Sequence, residues 1–227
     1  MRIQRIVDLS VILDASTHIY PGDPLTELRP ATRIETEGFN VLSISLGSHA
    51  GTHVDAPYHF LGNGARLDEL DLDLFIGPGV IADVTDHEPR QPIVWDDLLP
   101  VADRLRPGAI LALRTGWSEG HRGDDRYLEH PFLDPEACLR VLELGVRTVA
   151  IDALNPDPSV LEGQPTFPVH HLVLGAGGVI AENLTNLSAV RTPDPLVCLF
   201  PIRLGGDADG APCRAIALEF AEERRAP

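Results

Sequence analysis

The stretch His49-Ala50-Gly51-Thr52-His53-Val54-Asp55-Ala56-Pro57-Tyr58-His59 packs three imidazoles and a carboxylate into one short segment of a 227-residue chain that holds nine histidines. A window of that size should contain about half of one histidine by chance, so the cluster needs a cause. Neutral imidazole nitrogen and carboxylate oxygen are the donors that zinc-like and manganese-like dications take. The spacing then constrains the backbone. In an extended strand at about 3.3 Å per residue, His53 and Asp55 share a face, while His49 lies roughly 13 Å from His53. That is too far to share an ion bound at about 2 Å, so a turn must bring His49 back. Gly51 can adopt positive φ without steric cost, and Pro57 excludes a regular helix through Asp55 and His59. The reading is a strand ending near Leu46, a tight turn at Ala50-Gly51, and a chelating segment in which His49, His53 and Asp55 are ligands. For His59 the spacing leaves three roles open: fourth ligand, proton-transfer group or structural residue.

Outward from this segment, residues 41–46 alternate apolar and polar positions, with Leu42, Ile44 and Leu46 on one side, which predicts a half-buried strand delivering the chelating turn. Residues 80–84, 109–113, 148–153, 197–202 and 215–220 also read as strands. Asp134-Pro135-Glu136 is a helix start, with Asp134 as N-cap and Pro135 at the first helical position. Leu139, Leu142 and Val146 continue that helix on one face, so residues 109–153 predict a β-α-β unit. Residues 94–105 read as a second helix.

A second carboxylate draws attention at the end of Val179-Ile180-Ala181-Glu182, because burying Glu182 in such a run is costly without a cation or a metal. Two other motifs are decoys. Gly175-Ala176-Gly177-Gly178 lacks a following Lys-Ser/Thr and precedes a strand, so it reads as a tight turn and not as a phosphate loop. Gly116-Trp117-Ser118-Glu119-Gly120 matches the G-x-S-x-G nucleophile pattern, but residues 121–129 are charged and glycine-broken. The expectation is that no helix follows and that Ser118 is not a nucleophile.

Composition bounds the rest. With 44% hydrophobic residues the chain reads as one domain spanning 1–227, and the alternation of strands with a few helices makes its class α/β. Eighteen basic against 34 acidic residues leave a net charge of −16, which disfavours nucleic acid or an anionic membrane as a partner. Cys138, Cys198 and Cys213 form no C-x-x-C pair and suggest neither a disulfide scaffold nor a cysteine metal site. The N-terminal residues lack the apolar core of a signal peptide, and the apolar run 172–181 is broken by glycines and too short to span a bilayer. A cytoplasmic protein is expected.

Segment 49–59 also resembles H-x-G-[TA]-H-x-D-[AG]-P-x-H, the signature of the cyclase-like metal hydrolases, a family that includes bacterial kynurenine formamidase and isatin hydrolase. The resemblance continues through Asp8-Leu9-Ser10, Tyr20-Pro21-Gly22-Asp23, Leu113-Arg114-Thr115-Gly116-Trp117, Ile151-Asp152-Ala153, and His170-His171 followed by Glu182-Asn183-Leu184-Thr185-Asn186-Leu187. It implies a swivelling β/β/α fold with mixed sheets and few helices. It also implies His170 and Glu182 as further ligands, twelve residues apart, with His171 outside the first ring. One or two zinc ions, or manganese, are the implied cofactor, a small molecule the partner, and a homo-oligomer the assembly.

The implied activity is hydrolysis of the C–N amide bond of an aryl formamide or cyclic amide, with N-formylkynurenine of tryptophan catabolism as leading candidate and His59 as proton carrier. Tyr20 and Trp117 are the candidate substrate contacts; Tyr20 stands where Trp is common in the formamidases, keeping an aromatic wall of altered shape. Cyclisation or dehydration of another small carbonyl compound is the alternative chemistry. A metal-stabilised binding module without turnover is disfavoured, because a closed structural site needs no additional histidine beside it.

Overall fold

The aliphatic runs on either side of the chelating segment assemble around it as a mixed sheet. The structure is a computed structural model that describes residues 2–159 and 164–221. Its strands, in chain order, are β1 (Ile3–Asp8), β2 (Glu27–Thr32), β3 (Val41–Ser45), β4 (His53–Asp55), β5 (Ile76–Asp83), β6 (Pro92–Ile93), β7 (Ile110–Arg114), β8 (Phe132–Leu133), β9 (Thr148–Ile151), β10 (Val179–Glu182), β11 (Leu196–Cys198), β12 (Gly210–Pro212) and β13 (Ile216–Phe220). Nine of them form one sheet in the order β1-β13-β11-β5-β7-β9-β10-β4-β12, while β2 pairs with β3 and β6 with β8. Strands β5, β7, β9 and β10 are mutually parallel, and β4 then runs antiparallel between β10 and β12.

The helices are α1 (Ile34–Glu37), α2 (Trp95–Leu98), α3 (Trp117–His121), α4 (Pro135–Glu143) and α5 (Pro168–Gly175). Asp134 caps α4 as predicted, accepting the backbone N–H groups of Glu136 and Ala137 at 2.9 and 3.1 Å. This helix connects the parallel neighbours β7 and β9 and completes the expected β-α-β unit. No helix among the described residues is long and apolar enough to cross a membrane.

Side-chain alternation divides the core between the two faces of the sheet. Leu111 and Leu113 of β7 join Val149, Ile151 and Ile180 in a cluster with Ala137, Val141, Val169 and Val173 of α4 and α5. Ile110 and Ala112 point the other way, into a second cluster with Val54, Ala181, Val197 and Ala217. Val54 and Ala181 therefore fix the facing of their neighbours. His53, Asp55 and Glu182 must project from the opposite face, toward α5.

Three local expectations are corrected. Residues 41–46 do form a strand, but β3 is not half-buried: Val41, Leu42 and Ile44 are 47%, 51% and 60% exposed. Alternation identified the strand, yet among the described residues its strand partner is β2 alone, in a two-stranded sheet whose apolar side chains stay exposed. Residues 94–105 are one helical turn, α2, continued by a 3-10 segment, Leu99–Arg104. Pro100 lacks the N–H and crowds the preceding turn, so a continuous α-helix cannot pass.

A helix does follow the G-x-S-x-G motif. Gly116, at φ 75°, turns β7 into the single-turn helix α3. The Asp152 carboxylate holds that turn by accepting the N–H of Thr115 (2.7 Å), its hydroxyl (2.6 Å) and the N–H of Gly116 (2.8 Å). So short a helix needs no apolar period, which is why the pattern of residues 121–129 concealed it.

Candidate metal centre

Register in the sheet brings the two distant segments together. Strand β4 is buried throughout, and its His53 lies directly opposite Glu182 of β10 and Pro212 of β12. Cross-strand partners sit about 4.5–5.5 Å apart at Cβ, so His53, Asp55 and Glu182 share one patch. His53 Nε2 stands 3.2 Å from Asp55 Oδ1 and 3.3 Å from Glu182 Oε2. Gly51 closes the turn ahead of them at φ 62°, where an added Cβ would come within 2.6 Å of the Leu13 side chain. The predicted fold-back follows: His49 Nδ1 lies 2.7 Å from Asp55 Oδ1.

His170 enters from the first turn of α5. Asp157 receives the backbone N–H groups of Val169 and His170 at 2.8 and 3.0 Å, serving as the cap that Phe167 cannot provide. The same carboxylate accepts the His170 Nδ1–H at 2.6 Å. Nε2 is thereby left as the lone-pair nitrogen, and it sits 3.2 Å from Glu182 Oε1 and 3.5 Å from Asp55 Oδ2. The His53 tautomer is fixed likewise, since Nδ1–H donates to the Gly51 carbonyl at 2.7 Å. Fixing one ring nitrogen with a carboxylate or carbonyl so that the other is free is the usual outer-ring arrangement of metal-binding histidines.

The donor set fits a dication. His53 Nε2, Asp55 Oδ2 and Glu182 Oε1 are buried and have no hydrogen-bond partner, a costly state for three polar atoms in one place. One trio capable of holding an ion is His53, Asp55 and Glu182, and a second is His49, Asp55 and His59. Asp55 belongs to both. His59 is placed by the 3-10 turn Pro57–His59, its ring 4.0 Å from that of His49.

The charges support the same picture. Burial disfavours charged imidazole, but the Asp55 carboxylate and its neighbours override it, lifting His49 to about 9 and His53 to about 10. Burial likewise opposes ionisation of Asp55, yet His49 and His53 hold it well below the usual carboxylate range. In the ion-free protein, protons stand where a cation's charge would otherwise be.

A pocket of about 250 Å³ opens over this cluster. Tyr20, Phe60 and Phe167 form its aromatic wall, with Phe60 and Phe167 rings 5.1 Å apart. Asp23 and Asn155 also line it, above His49, His59, His170 and Glu182. Asn155 is anchored from behind: its amide donates to Ser159 Oγ (3.0 Å), which is 2.9 Å from the buried His130 ring.

Of the eight residues singled out in the sequence, seven converge here: Tyr20, His49, His53, Asp55, His59, His170 and Glu182. Trp117 does not. It is buried behind the site, its indole N–H directed at the carbonyls of Arg126 (3.3 Å) and Tyr127 (3.1 Å), and it lines no part of the pocket. Position at a strand end suggested a contact, but the αL turn at Gly116 rotates the ring into the core. His171 is exposed, outside the cluster. Sequence reasoning missed Asp157 and Asp209. Asp209 Oδ2 lies 3.1 Å from His49 Nε2 and 3.4 Å from His59 Nδ1, brought there from the far end of the chain by pairing of β12 with β4.

Residues 7–158 match the family model described as "Putative cyclase". The chain belongs to this family. Among curated relatives, it is 32% identical to a kynurenine formamidase of Salinibacter ruber (strain DSM 13855 / M31), covering 93% of this chain and 96% of that one. A kynurenine formamidase of Geobacillus thermodenitrificans (strain NG80-2) is 30% identical, with 92% and 95% covered. Among solved structures, an isatin hydrolase bound to the product analogue thioisatinate superposes with a TM-score of 0.85 at 23% identity, covering 94% of this chain and 92% of that one. The expected α/β cyclase-type fold is therefore the one observed.

Proposed function

We propose that this member of the cyclase family is a metal-dependent hydrolase that cleaves the C–N amide bond of an aryl formamide or cyclic amide, with N-formylkynurenine the leading substrate. The observation that carries the reading is the meeting of three partnerless buried donors, from His53, Asp55 and Glu182, beside an aromatic-walled pocket that Glu182 lines. The kynurenine formamidase relatives, matched over nearly their whole length, support the amide chemistry.

His49, His53, Asp55, His170 and Glu182 would together hold one or two ions. Zinc is the expected metal and manganese the alternative, since both take imidazole and carboxylate donors. A bound dication supplies Lewis acidity, polarising a carbonyl and lowering the pKa of water. The chain's own residues do the rest. Tyr20, Phe60 and Phe167 hold the aryl ring and exclude water from it. His59 faces Asp209 through Nδ1, so its Nε2 is available to carry a proton to the departing aniline nitrogen. A group in that role contributes about 10²–10⁴-fold in rate.

We also infer a homo-oligomer. The support is the hairpin of β2 and β3, whose Phe39, Val41, Leu42 and Ile44 are exposed, as is Leu25 just before it, although two-stranded sheets are marginal in water without cover. Turnover of N-formylkynurenine, isatin and formanilide by the zinc-loaded and manganese-loaded protein, with metal content measured by elemental analysis, tests the reading. Metal-dependent release of the aniline from at least one of them is expected; activity that survives removal of all metal would overturn it.

A further inference from the structure

The 250 Å³ pocket is small for a ligand site, below the usual range of about 300–1,000 Å³, and so fits one aromatic ring with a short arm. Away from the histidines and Glu182 of the floor, the one charged side chain lining it, among the described residues, is Asp23. The sequence contains no lysine, and among the described residues no arginine lines the pocket. Arg122 opens instead onto a separate cleft with His18 and Asn183.

Asp23 does line the pocket. It sits beyond the tight turn that begins at Tyr20, held by a 3.1 Å hydrogen bond from its own N–H to the Tyr20 carbonyl. Its position is thus tied to the aromatic wall, and it enters no ion pair among the described residues. The imidazoles of the floor face Asp55, Asp157, Glu182 and Asp209, so their charge is already matched. The whole-chain charge of −16 adds a field that disfavours the approach of anions.

Resting on the amide-hydrolase reading, we propose that the pocket selects aryl amides by the charge of their side arm: ammonium-bearing arms are drawn to Asp23, neutral arms are accepted, and arms bearing only a carboxylate are rejected. The substrate class is then aryl formamides or lactams with a cationic, zwitterionic or neutral arm. An opposite charge a few ångströms from a half-exposed carboxylate, against a like charge at the same place, separates the two by about 10-fold or more in affinity.

Three ring-substituted formanilides differing only in their arm, aminoethyl, ethyl and carboxyethyl, test this with the metal-loaded protein. Expected is a kcat/KM order of ammonium, neutral, carboxylate, with about 10-fold or more between the extremes carried in KM. Asp23→Asn should bring those extremes to within about 2-fold, and added salt should narrow them in the parent. A carboxylate arm handled as well as the ammonium arm, or an order untouched by Asp23→Asn, overturns the proposal. If no formanilide is hydrolysed, and neither N-formylkynurenine nor isatin is, the amide-hydrolase reading fails instead. The charge order is then read from calorimetric binding of the three parent anilines, where equal affinities overturn it and the same order upholds it.

Discussion

Strands β3 and β4 are inverted with respect to ordinary burial. Strand β4 is His53-Val54-Asp55, two ionisable residues out of three, and all of it is buried. Strand β3 is Val41-Leu42-Ser43-Ile44-Ser45, mostly aliphatic, and all of it is exposed. Polar groups in a core and apolar groups in water each cost free energy, so each needs something outside the chain to offset it. For β4 the proposed offset is a cation; for β3 the proposed offset is a second protein surface. The experiments below break or sharpen this contrast.

The largest effect belongs to β4. His53→Ala and Glu182→Ala should each lower metal content, cut kcat by about 10³-fold or more and reduce stability by roughly 3–5 kcal/mol, because removing one donor leaves a buried partner uncompensated. Elemental analysis and thermal unfolding report both. Full occupancy in either variant would remove the reason given for burying β4.

His59 is next. It lies at the pocket, 28% exposed, beside Asp209 and not among the partnerless buried atoms. If it carries protons, His59→Ala keeps the metal while kcat falls about 10²-fold or more with little change in KM. Equal losses of metal and activity would make it a ligand of the trio with His49 and Asp55.

What was legible in the sequence divides along the same line. The chelating segment could be read because ligands close in sequence constrain one another: Gly51, His53 and Asp55 admit few backbones. The β-α-β unit was legible for the same reason, Asp134 and Pro135 being local signals. Asp157 and Asp209 were not, since each reaches its histidine through sheet pairing or a helix terminus and leaves no local pattern. Trp117 was misjudged because orientation past a strand end depends on the φ of Gly116. The exposure of β3 was hidden because alternation reports a two-faced strand and not what covers either face.

The hairpin should respond through assembly. Leu42→Arg with Ile44→Arg should leave the fold and metal content intact, yet weaken self-association by about 10-fold or more, read by sedimentation over a dilution series. Charged groups at the core of an interface are disfavoured. A parent protein that is monomeric at every concentration would mean that the apolar surface of β3 serves some other purpose.

A subtler signature of β4 lies in its pH dependence. His49 and His53 are lifted from 6.5 to about 9 and about 10 in the ion-free protein. A group whose folded pKa is raised stabilises fully below its unfolded pKa, and that contribution is lost as pH climbs through the folded value. The ion-free protein should therefore lose stability from about pH 6.5 to 10. Metal binding requires neutral imidazoles and expels these protons, so the rise in Tm on adding zinc should widen over the same interval. A constant rise from pH 6.5 to 9 would count against protonated His49 and His53 as the ion-free state.

The smallest expected effect is at Ser118, and it probes the contrast from a third side. Ser118 follows a strand, an αL glycine and the start of a helix, closer to a nucleophile elbow than its sequence context suggested. Geometry of the backbone is not enough, because a serine nucleophile needs a base within about 2.6–3.2 Å. Ser118 is 3% exposed, and its hydroxyl has no hydrogen-bond partner among the described residues. It is thus a buried polar atom like those of β4, but one that does not line the pocket over the candidate metal centre. Ser118→Ala should leave kcat within about 2-fold, and it should change stability by no more than about 1 kcal/mol, in the stabilising direction, by removing an unsatisfied hydroxyl. Loss of turnover in Ser118→Ala with metal content unchanged would transfer the chemistry from the β4 cluster to the G-x-S-x-G turn.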